Sequence, residues 1–140
     1  MSVPILLVDD NEADRYLISR SITESTIACQ IYPFEAGDDF LEVFCDPKRY
    51  QSLVNHNTES ALILLDIKMP RLDGFEVLEH LTKHRVLHTD FIIAIITSSN
   101  NERDREKAYS YSLVKEFIVK PFDSSSIEKI MTDHYPRHSS

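Results

Sequence analysis

Asp9, Asp10, Asp66, Thr97 and Lys120 lie far apart in a 140-residue chain, yet all stand at the ends of short apolar runs: ILLV, ALILL, FIIAII and FIV. In an open parallel sheet such run ends gather along one edge, where ligands bind. Three carboxylates held a few ångströms apart resist joint ionisation unless a cation joins them. Oxygen-only ligands suit a hard ion such as Mg2+, with Mn2+ as a substitute. A hydroxyl and an ammonium beside them suit the equatorial oxygens of a transferring phosphoryl group. The set reads as a metal-assisted phosphoryl site.

Positioning these residues requires strands that end together. Apolar runs alternate with amphipathic stretches, the pattern of repeated βα units around a parallel sheet. Strands are expected over 3–8, 28–34, 61–65, 91–96 and 116–119, and five helices over 12–24, 38–46, 74–84, 101–111 and 124–134. The first, third and fourth strands are almost wholly apolar, as strands covered on both faces should be. Pro33 cannot donate to a ladder, which places the second strand at an edge. Order 2-1-3-4-5 satisfies this and sets the ends of strands 1 and 3 side by side at a topological switch point. The expected fold is therefore an α/β, flavodoxin-like, doubly wound five-stranded sheet. Residues 45–60 are polar and lack a clear period, so they are read as an extension of the second helix and a loop. Residues 135–140 are read as a flexible tail.

The length fits one domain spanning 1–140. A net charge of -8 and a pI near 5.1 disfavour direct binding to nucleic acid or an anionic membrane. The longest uncharged apolar stretch, 91–96, is too short to span a bilayer, and no basic-then-apolar leader opens the chain. Cys29 and Cys45 have no CxxC spacing and suit reduced thiols in a cytoplasmic protein.

ILLVDDNEADR, LILLDIKMPRLDGFEVLEHL, IIAIITSSN and FIVKPF resemble, in order, the four signature blocks of the bacterial response-regulator receiver domain. The similarity covers essentially the whole chain. It is to stand-alone, chemotaxis-regulator-like members, with a fainter likeness to regulators paired with phytochrome-type kinases. The resemblance implies that Asp66 accepts a phosphoryl group from a histidine kinase or histidine phosphotransfer protein. Asp10 would ligate Mg2+ directly, Asp9 directly or through water, and the Lys68 backbone carbonyl would complete the protein's share. Lys120, before a cis Pro121, would aim its ammonium at the acceptor, and the Thr97 hydroxyl would donate to the phosphoryl group. Phe117 matches the family's rotating aromatic, which with Thr97 forms the switch. Lys68 and Ser99 occupy the positions that tune acyl-phosphate lifetime; neither is suited to orienting water, so slow hydrolysis is expected. Output would pass to an unknown downstream protein or to a second copy through the face of helix 101–111, strand 116–119 and helix 124–134. The molecule would phosphorylate and dephosphorylate itself as a switch rather than turn over a substrate.

Each residue also has a plainer reading. Asp9 or Asp10 could cap the first helix, Thr97 could be a β-favouring residue, and Phe117 could be packing only. A Mg2+-dependent phosphohydrolase with an aspartyl nucleophile is the rival from another class. Such enzymes usually carry Asp or Thr two residues beyond the nucleophile, where Lys68 stands. A receiver used only for docking is the third reading, opposed by the completeness of the site. Glu76, His80, His84 and His88 recur every four residues, a spacing that can chelate zinc, although the helix is expected to end near His84. Gly74, one of two glycines, suggests demanded backbone angles, and Gly37 a turn. Where receivers commonly carry Gly-Ala, this chain reads SYSLVKEF, so a strained helix end near Ser112 or Leu113 is expected. The helix over 101–111 has no apolar stripe before Ala108 and is expected to be marginal.

Overall fold

The computed structural model describes residues 2–136. The described chain runs β1 (Val3–Val8), α1 (Glu12–Glu24), β2 (Cys29–Phe34), α2 (Gly37–Phe44), α3 (Pro47–Leu53), β3 (Ala61–Asp66), α4 (Gly74–Lys83), β4 (Phe91–Thr97), α5 (Glu102–Tyr109), β5 (Val114–Val119) and α6 (Ser124–His134). All five strands are parallel, in the order β2-β1-β3-β4-β5. Pro33 lies on the edge strand, where its missing N–H leaves no gap in the ladder.

The apolar strands divide their side chains between two layers, as a period of two requires. Leu6, Val8, Ile63 and Leu65 pack with Phe40, Phe44, Val77 and Leu78 under α2 to α5. Val3, Ile5, Leu7, Leu62 and Leu64 pack with Ile18, Ile22, Ile127, Ile130 and Met131 under α1 and α6. β1 and β3 are buried throughout. Removing one such Leu would cost about 2–5 kcal/mol.

Six helices form among the described residues, not five. The extra one, α3, lies in the segment expected to prolong the second helix and then loop back, and it is a separate helix rather than that extension. Asp46 caps it by accepting from the N–H groups of Lys48 and Arg49, and Pro47 opens its first turn. Its anchor is one fully buried residue, Tyr50, packed edge-on against Phe44 at 5.3 Å. A two-turn helix with one anchor shows no period, which is why the sequence pattern missed it. Asn55 and His56, both at positive φ, end the segment.

Two further expectations change. α5 ends at Tyr109, and no residue between it and β5 takes a positive φ. Ser110 instead continues in the right-handed region, its hydroxyl donating to the Lys107 carbonyl at 2.5 Å, so the strain expected near Ser112 is avoided. β5 starts at Val114, two residues earlier than its polar opening suggested, because a register shift opposite Ile93 and Ala94 leaves Lys115 outside the pairing. Of the expected tail 135–140, Tyr135 is buried and belongs to the folded body, Pro136 is exposed, and 137–140 lie outside the described residues. α5 buries only Ala108, in keeping with its weak apolar stripe.

Candidate phosphoryl site

The carboxyl ends of four strands supply the site. Asp66 is the last residue of β3 and Thr97 the last of β4, while Asp9 and Lys120 directly follow β1 and β5. Pairing of Asp66 with Ile96, and of Thr97 with Val119, aligns these ends along one edge. Asp9, Asp66 and Thr97 are the buried polar residues among those described, whereas Asp10 is exposed. Oxygens of Asp9, Asp10 and Asp66 all lie within 4.8 Å of one another.

Neither Asp9 nor Asp10 caps α1. Asn11 does so, accepting from the Asp14 N–H at 2.9 Å. Asp9 Oδ1 accepts from the Asn11 N–H at 2.9 Å, and its backbone carbonyl accepts from Arg15 Nη1 at 2.7 Å. Both contacts fix the loop after β1.

Lys120 Nζ donates to Asp14 Oδ2 at 2.7 Å, Asp9 Oδ2 at 3.0 Å and Asp66 Oδ2 at 3.4 Å. The Lys120–Pro121 peptide is cis. Burial, followed by the charge of Asp9, pushes the Asp66 carboxyl up to about 6, against the pull of Lys120 and of the Lys68 N–H at 3.2 Å. Burial acts to lower the Lys120 ammonium, but hydrogen bonds to Asp14 and Asp9 and the charges of Asp66 and Asp9 override it and hold it above its ordinary value. The cluster thus carries more negative charge than its one lysine balances. Hard oxygen donors with uncompensated charge fit a small divalent cation.

The loop after β3 is held close to the acceptor. Gly74 opens α4 at an ordinary negative φ, so demanded angles do not explain it. A Cβ there would stand 2.5 Å from the Asp66 carbonyl oxygen and 2.7 Å from Ile67 Cα. Close approach is the reason for glycine. Asp73 and Glu76 form a capping box that starts the helix. Gly37 likewise begins α2 rather than a turn, facing Val77.

Thr97 Oγ1 accepts from the Ser99 N–H at 3.1 Å, which leaves its own proton for a donor role. Ser99 Oγ donates to Asp104 Oδ2 at 3.0 Å and accepts from the Asn101 N–H, which turns it toward α5. Lys68 is exposed. Phe117 is buried, 6.5 Å from Tyr109, and Arg105 lies over both rings.

The four-residue histidine pattern does not form one site. Glu76 is committed to its capping box, the His80 and His84 rings lie tilted against each other at 4.4 Å, and His88 packs beyond the helix against Phe44 and Tyr50. Sequence reasoning missed Asp14. Its signal was available: an acid in the first turn of a helix that starts directly beyond a strand end of the site.

Residues 5–132 match the family model of the response regulator receiver domain. The two-component response regulator ARR17 of Arabidopsis thaliana is 33% identical over 128 residues, 90% of this chain and 80% of that protein. Response regulator Rcp1 of Synechocystis sp. is 30% identical over 105 residues, 75% of this chain and 68% of Rcp1. The solved Mn2+-bound form of Rcp1 shares the fold, with a TM-score of 0.69 at 22% identity over 99% of this chain and 97% of that one. The bacteriophytochrome response regulator AtBRR superposes with a TM-score of 0.73 at 27% identity, over 95% of this chain and 92% of that one. No helix among the described residues is long and apolar enough to cross a membrane. With its strand order, its acidic cluster and the family match all in agreement, the chain belongs to the response-regulator receiver family of two-component signalling.

Proposed function

We propose that this protein accepts a phosphoryl group from a histidine kinase or histidine phosphotransfer protein onto Asp66, in a Mg2+-dependent reaction, and signals by altered protein binding. The observation that carries this reading is the convergence of Asp9, Asp10 and Asp66 beside the Lys120 ammonium.

Asp9, Asp10 and the Lys68 carbonyl would hold the cation with Asp66. Bound there, Mg2+, or Mn2+ such as the solved form of Rcp1 contains, would supply charge that offsets both carboxylate and phosphoryl oxygens. One Asp66 carboxylate oxygen forms a bond to phosphorus as the phosphohistidine P–N bond breaks, and the departing imidazole nitrogen keeps the electron pair. Lys120 carries a fixed positive charge to the phosphoryl oxygens, and the Thr97 hydroxyl donates to another. Ser99 is occupied with Asp104 and Lys68 is a cation, so neither orients a hydrolytic water. Slow dephosphorylation follows.

Signal leaves by the face of α5, β5 and α6, where Tyr109 and Val119 are exposed and Phe117 lies beneath Arg105. That face serves a downstream protein or a second copy of the chain. Unpaired Cys29 and Cys45 suit a cytoplasmic setting.

Acetyl phosphate or phosphoramidate with Mg2+ should add one phosphate by intact mass, lost in Asp66→Asn and in EDTA. Rapid turnover of a free phosphoester would favour the hydrolase instead.

A further inference from the structure

The Lys120 ammonium has three protons to donate and three carboxylates around it. Two of them, Asp9 and Asp66, belong to the trio whose oxygens converge. The third, Asp14, is not part of that trio and makes the shortest contact, 2.7 Å. It stands on the first turn of α1, its backbone N–H tied to the Asn11 side chain, with a third of its side chain exposed. Asp14 is therefore an anion beside Lys120 that stands outside the converging trio.

A divalent cation among Asp9, Asp10 and Asp66 needs the same oxygens that Lys120 holds. Two cations cannot share them without repulsion. We propose that Asp14 is a positioning residue: it gives Lys120 a partner outside the metal cluster, so that cation binding does not have to expel the ammonium from the site. The lysine then stays within reach of the acceptor for the phosphoryl group. This inference rests on the metal site described under Proposed function.

The test is Mg2+ affinity in four proteins: wild type, Asp14→Asn, Lys120→Met and the double variant. It is read as the rise in melting temperature against Mg2+ concentration, with EDTA as the reference. Asp14→Asn should weaken Mg2+ binding about threefold to tenfold, the lower part of the range for coupled residues in contact. Lys120→Met should tighten it. In the Lys120→Met background, Asp14→Asn should change affinity by less than about twofold, because no ammonium remains to be placed. Asp14→Glu should recover most of the wild-type affinity. A merely structural acid at the start of α1 would change the melting temperature in EDTA and leave the Mg2+ constant alone. Equal weakening in both backgrounds would make Asp14 a distant charge and overturn the positioning role. No change in either background would also overturn it, while wild-type affinity for Mg2+ kept the metal site intact. Absence of Mg2+ binding in wild type would overturn both.

Discussion

Lys120 Nζ sits nearer to Asp14 than to Asp66, at 2.7 Å against 3.4 Å, although Asp66 is the buried acceptor candidate at the centre of the sheet. The lysine is thus shared between α1 and the ends of β1 and β3, and it offsets only part of the cluster's negative charge. Lys120→Met is expected to lower stability in EDTA by on the order of 3 kcal/mol, the cost of leaving buried carboxylates without their counter-charge. Mg2+ should recover most of that loss, as seen in urea melts with and without the ion.

The Asp66 carboxyl, raised from an ordinary value of 3.8 to about 6, makes stability depend on pH in a defined direction. Between those two values the folded protein keeps a proton that the unfolded chain releases. Unfolding then liberates a proton, so raising the pH through this window lowers stability. The contribution is about 3 kcal/mol, present at the acid end and lost by the upper end. Urea unfolding in EDTA should show wild type losing this stability relative to Asp66→Asn, whose amide does not titrate. A flat difference between the two proteins would mean that Asp66 is ionised throughout.

Asp10 is exposed, and the cap of α1 is Asn11, so Asp10→Asn removes repulsion without removing a cap. It should raise the melting temperature in EDTA by about 2 °C, equivalent to about 0.5 kcal/mol. The same change should weaken Mg2+ by about tenfold or more. A less stable variant in EDTA would count against the metal role.

Gly74→Ala places a methyl against backbone on two sides, at Asp66 and Ile67. Backbone cannot swing away as a side-chain tip can, so the expected loss is on the order of 1–3 kcal/mol. Displacement of the Asp66 carbonyl should also slow phosphorylation by phosphoramidate. Gly37→Ala meets the Val77 side-chain tip first and should cost less, which calorimetry of the two variants would show.

Phe117 is buried, so Phe117→Ala would cost about 3 kcal/mol in cavity alone. Phe117→Leu is the gentler probe. Beryllofluoride with Mg2+ should shift amide resonances across 100–121 in wild type, biasing an existing equilibrium. In Phe117→Leu the shifts next to Thr97 should persist while those in β5 shrink, with Asp66 phosphorylation intact. Unchanged β5 shifts would make the ring packing only.

The site was legible because four of its parts end apolar runs, and a strand's last residue can be read from where hydrophobicity stops. Asp9, Asp66, Thr97 and Lys120 meet along one edge as the order 2-1-3-4-5 requires. What escaped had no period to read. α3 rests on Tyr50 and a cap at Asp46, and Asp14 belongs to a helix face whose neighbour, Lys120, is 106 residues away. Gly74 was noticed for its rarity, but only the packed loop shows that distance rather than dihedral freedom demands it.

The contact between Asp9 and Lys120 spans 111 residues, and Lys120 comes into place only when β5 has docked beside β4. Pairings of such long separation in the chain are among the last to be worth their closure entropy. A chain with four strands in place would hold Asp66 but lack the ammonium beside it. If Asp66 is the acceptor, as proposed, competence for phosphorylation would double as a certificate of completed folding: a half-assembled molecule would stay silent in the signalling pool instead of sending a false message.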